Sequence, residues 1–60
     1  MKDIKELCQE RGMKMKDVAE VVGMTSQNLG VAMRGNPTLS LLRKVAKALG
    51  MSMRELFADE

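Results

Sequence analysis

Sixty residues make one domain, expected to span residues 1–60, and a chain this short buries only about 60% of its unfolded surface, so its elements must support one another. One cysteine and no histidine exclude an internal disulfide, a zinc-finger spacing and a histidine base. Net charge is only +2, but residues 21–54 carry Arg34, Arg43, Lys44, Lys47 and Arg54 with no Asp or Glu, a stretch suited to polyanions or, more plainly, a solvated cationic face.

The first helix is expected from about Asp3 to Arg11. Asp3 can cap it, Ile4, Leu7 and Cys8 form its inward stripe, and Gly12 ends it. Arg11 suits the negative end of its macrodipole. A second helix, Met15 to Val22, places Met15, Val18, Ala19 and Val22 on one face. Its cap, Lys14, is poor, and Ala19 is small enough to admit a neighbouring helix closely. Gly23 stops it, and the Thr25 hydroxyl caps a third helix, Ser26 to Arg34. Leu29, Ala32 and Met33 lie on one side of that helix, while Ser26, Gln27 and Asn28 crowd polar groups into its first turn. Gly30 in its interior costs about 1 kcal/mol against Ala, so either neighbours hold this helix or a close approach needs glycine there.

Gly35-Asn36-Pro37 reads as a loop. Thr38 caps a fourth helix, Leu39 to Leu49, with Leu39, Leu42, Val45, Ala46 and Leu49 inward and Arg43, Lys44 and Lys47 outward. Gly50 stops it. Ser52 and Glu55 form a capping box for a last helix, Met53 to about Phe57, which Met51, Met53, Leu56 and Phe57 should lock onto the rest. No run alternates at period two, so the expected fold is all-α, a compact bundle of about five short helices containing a helix-turn-helix.

Phe57 is the only aromatic, and seven methionines read as flexible core filler or as an adaptable binding surface. Cys8, on an apolar face, reads as an inert thiol. No signal peptide or membrane-spanning run is visible, and a cytoplasmic location is expected. Catalysis is poorly supported: Asp17 and Glu20 share a helix face without an apolar setting, and no glycine loop cradles a phosphate. Neither an enzyme, a metal, a cofactor nor a small-molecule ligand is expected. The basic fourth helix needs its apolar face for the core, which argues against membrane binding.

Nucleic-acid binding fits several features together. Gln27 and Asn28 can pair bidentately with adenine in a major groove, where a small apolar residue can meet a thymine methyl. On its own, the Ser26-Gln27-Asn28 turn reads rather as solvated surface. Coupled to the Gly23 turn and the acid-free stretch, it reads as a DNA-facing element.

From about Ile4 to Phe57 the chain resembles the phage-repressor and Cro type of helix-turn-helix domain, the Xre family. The matching stretch is MKDVAEVVGMTSQNLGVAMRG, Met15 to Gly35. Ala19 falls at the family's small residue, Gly23 at its turn glycine, Thr25 at its hydroxyl cap and Leu29 at its buried aliphatic. TLSLLRKVAKALGMSMREL, after Pro37, resembles the family's fourth helix and short final one. The resemblance implies a lambda-repressor-like fold and a transcriptional regulator, repressor-like, that binds palindromic double-stranded operator DNA as a homodimer. It implies that Ser26, Gln27 and Val31 read bases and that Asn28 touches bases or backbone. It places Thr25, Arg34, Asn36, Arg43 and Lys44 on the DNA backbone. Met15 stands where many members contact a phosphate through Gln; it cannot donate, so Lys14 or Lys16 takes that role. Gly30 and Val31 replace usually polar residues, which thins the base-reading set. The alternative is a protein-interaction module or antitoxin-type regulator that keeps the fold with weak operator reading.

Overall fold

The computed structural model describes residues 3–57. They form five helices: α1 (Ile4–Glu10), α2 (Met15–Val22), α3 (Ser26–Arg34), α4 (Leu39–Leu49) and α5 (Met53–Phe57). There is no strand among the described residues. Capping chemistry sets most of the boundaries. Asp3 Oδ1 accepts from the Lys5 N–H, Thr25 Oγ1 from Asn28 and Thr38 Oγ1 from Leu41, each at 3.1 Å. Lys14 makes no side-chain cap to α2. Asp3 and Arg11 flank α1 as its caps rather than lying inside it.

Three helices end in the same way. Gly23 takes a left-handed φ of 89°, and the next amide, Met24 N–H, turns back to donate to the Ala19 carbonyl at 2.8 Å. Gly12-Met13 repeats this against the Cys8 carbonyl at 2.8 Å, and Gly50-Met51 against that of Ala46 at 2.9 Å. A side chain other than glycine's would be strained in this backbone, and the bond back satisfies a carbonyl the helix end leaves open. The residue after such a glycine favours an apolar contact with the last turn. Met13, Met24 and Met51 all sit half-buried against the core. The stops are legible one by one in the sequence; their shared Gly-Met dipeptide explains three of the methionines otherwise read as filler.

The core gathers a stripe from every helix. Val18, Leu29, Val45 and Leu56 are wholly buried, with Ala19 buried beside them where α2 meets α3. α4 packs along α2, and α5 closes against α4. Burying a Leu or Val side chain contributes roughly 1.5–3 kcal/mol, so these four anchors outweigh any single cap.

Two residues expected inward are not. Leu39 is 57% exposed and Phe57 49% exposed. Each sits at a helix end, where helical spacing persists but the neighbouring helices no longer cover it. α5 is held instead by Leu56, with Met51 and Met53 half-buried. It is also held from outside. Ser52 and Glu55 make the reciprocal capping box, both bonds at 3.1 Å. Arg11 Nη2 donates to Glu55 Oε2 at 3.2 Å, joining the end of α1 to the start of α5.

Candidate nucleic-acid interface

α3 divides sharply between an inner and an outer side. Leu29 and Met33 are buried beneath it, and Ser26, Gln27 and Asn28 are exposed above. The Thr25 hydroxyl takes the Asn28 backbone N–H, which fixes the first turn and leaves the three outward side chains with their donors and acceptors facing solvent. One turn further on, Val31 is 58% exposed, an apolar residue on the outer side of the helix.

Gly30 is buried, yet nothing crowds it. A Cβ added there would meet Arg34 Nη2 at 3.8 Å and Met15 Cε at 3.9 Å, both at ordinary van der Waals separation. No close approach within the chain therefore demands glycine, and neighbours hold this weak helix. Those distances also locate Arg34. Its guanidinium folds back along α3 over Gly30, toward the polar first turn. Together with Gln27 it borders an open cleft of about 300 Å³ between α3 and the start of α1.

Met15 closes the floor of that cleft and points inward. It is half-buried against the core, and the Cys8 thiol donates to its sulfur at 3.8 Å. Burial pushes the Cys8 pKa up, so the thiol stays protonated and unreactive. Met15 thus serves packing among α1, α2 and α3. Lys14 and Lys16 on either side of it are exposed. No side chain caps α2, so the amide groups of its first turn are not covered by a cap.

The remaining backbone candidates are spread apart. Asn36 and Arg43 are exposed after α3 and on α4. Lys44 turns toward the end of α2, where it and Lys47 line a separate groove with Val21, Val22 and Ala48. Arg34 and Lys44 consequently border different clefts. Sequence reasoning passed over Lys5, which lines the α1–α3 cleft with Arg34 and Gln27. It lies in a stretch where acids and bases balance, so charge counting gave no signal.

Among the described residues no cluster of three or more His, Cys, Asp or Glu side chains is placed to hold a metal, and no helix is long and apolar enough to cross a membrane. No curated protein matches the chain. A family model does: the helix-turn-helix family HTH_3 matches residues 4–56, from the first residue of α1 to the buried Leu56 of α5. That span takes in all of the Gly23 turn, α3 and the trailing helices. The chain belongs to this Cro and repressor-type, Xre-like helix-turn-helix family of DNA-binding transcriptional regulators.

Proposed function

We propose that the chain is a sequence-specific, repressor-like regulator that reads the major groove of operator DNA with α3. The observation that carries this is the exposed Ser26-Gln27-Asn28 turn, capped by Thr25 and seated over buried Leu29 and Met33. Gln27 and Asn28 would pair with base edges, Ser26 with either base type, and Val31 with a thymine methyl. Thr25, Lys14, Lys16, Arg34, Asn36, Arg43 and Lys44 would hold the backbone on either side. A cytoplasmic location accords with this role.

Two bidentate contacts at roughly 1–3 kcal/mol each supply about 2–6 kcal/mol of discrimination. Specific binders typically separate operator from random DNA by about 4–10 kcal/mol. One copy therefore reaches at most the lower part of that range, and a homodimer on a palindrome, with half-sites about 34 Å apart, supplies the rest.

Selection from a random duplex pool at two salt concentrations tests this reading. A palindromic motif is expected, and Gln27→Ala should relax one base position per half-site while leaving random-duplex affinity nearly unchanged. The exposed valines Val21 and Val31 favour a second reading, a protein-interaction or antitoxin-type module. Failure to enrich any sequence at either salt would favour that reading over the first.

A further inference from the structure

We propose that Lys5, on the first turn of α1, binds a DNA phosphate, so that the grip on the backbone extends onto a helix outside the helix-turn-helix. The inference rests on the DNA-binding reading above. Its ground is the way two clefts meet. The α1–α3 cleft is bordered by Lys5, Gln27 and Arg34 and floored by Met15 and Gly30. A second cleft of about 300 Å³ runs along the other side of Met15, bordered by Lys5 and Lys14. Lys5 and Met15 belong to both. Lys5 therefore stands between the start of α2 and the outer face of α3, with one cation, Lys14, on one side and another, Arg34, on the other.

Met15 lies between these cations with its sulfur turned to Cys8, and it offers no donor to an anion. A phosphate passing the start of α2 finds no side-chain donor at Met15, and the cations on the rims can reach it. Lys5 is exposed, and its flexible four-carbon stem lets the ammonium follow a backbone oxygen. Gly30 adds no side chain to the cleft floor, and the Arg34 guanidinium lies over it. One group opposes the interaction. Asp3 lines the same cleft, with its Oδ1 on the Lys5 amide. Its charge would repel a phosphate there, which gives the proposal a second handle.

The test uses a random-sequence duplex and the slope of log K against log salt, which becomes shallower by about 0.9 for each phosphate the protein no longer neutralises. Lys5→Gln is expected to lower the slope by about that amount, Lys5→Arg to restore it, and Lys47→Gln, on the α2–α4 groove, to leave it unchanged. Asp3→Asn, which keeps the oxygen that caps α1, is expected to raise affinity. All four variants sit at exposed positions, and helix content by circular dichroism verifies that each is folded. A slope unchanged in Lys5→Gln but lowered in Arg34→Ala overturns the proposal and leaves the DNA reading standing. Equal changes in Lys5→Gln and Lys47→Gln also overturn it, because they report net charge rather than a local interaction. A parent chain without salt-dependent duplex binding overturns both.

Discussion

Helices α3 and α4 begin alike. Thr25 and Thr38 each accept the N–H three residues on, at the same 3.1 Å. Beyond the cap they diverge. α4 is eleven residues of good helix formers, Leu, Lys and Ala among them, with four buried side chains and a left-handed glycine stop. α3 is nine residues, with Ser, Asn, Gly and Val among them, and it ends at Gly35 without a left-handed stop. Two side chains, Leu29 and Met33, hold it down. The comparison teaches that the helix with the exposed polar turn draws its stability from docking, whereas the one behind it also has local propensity.

The largest effect should come from removing that docking. Leu29→Ala is expected to cost about 2–5 kcal/mol in urea unfolding, a large share of the stability of a domain this small. Leu39→Ala, at the exposed start of α4, should fall within about 0.5 kcal/mol of the parent. Similar losses at the two positions would break the contrast. Next in size is the cap. Thr25→Ala should cost about 1 kcal/mol, and Thr38→Ala no more than that, since α4 has propensity in reserve. Gly30→Ala should act in the opposite direction, raising the thermal midpoint by an amount worth about 0.5–1 kcal/mol, because the added methyl meets nothing nearer than 3.8 Å. A destabilised Gly30→Ala would mean that α3 needs its glycine for the fold.

The smallest effect belongs to α5. The Ser52 amide bonded to Glu55, and then the Arg11 guanidinium, hold the Glu55 pKa below the ordinary glutamate range. Its contribution is fully present above that range and fades as pH falls through the lowered folded-state value. Glu55→Gln keeps an oxygen for the Ser52 amide and loses the charge. Parent and variant should differ slightly near neutral pH and converge in acid, as followed by denaturant midpoints across pH.

Most of this arrangement was legible from local chemistry. The bounds of α2, α3, α4 and α5 follow from Gly stops, Thr and Ser caps and apolar spacing, all of which act within a turn or two. What escaped depends on distance along the chain. Leu39 and Phe57 keep helical spacing, but coverage by neighbours decides burial, and periodicity carries no information on where neighbours end. The Arg11–Glu55 bond joins residues 44 apart, and Lys5 shares a cleft with Arg34 and Gln27 only because α1 folds against α3. The polar turn of α3 was readable as a surface element; the folding back of Arg34 over Gly30 was not, since it needs the floor that Met15 supplies.

The repeated Gly-Met stop has a consequence for the chain under oxidative stress. Met13, Met24 and Met51 are half-buried, and each closes a helix end against the apolar core. Conversion to sulfoxide makes that closure polar, and sulfoxide reductases can reverse it. Because α1, α2 and α4 are finished with the same chemistry, a reagent that oxidised these methionines would act on all three ends together, and the turn before α3 is among them.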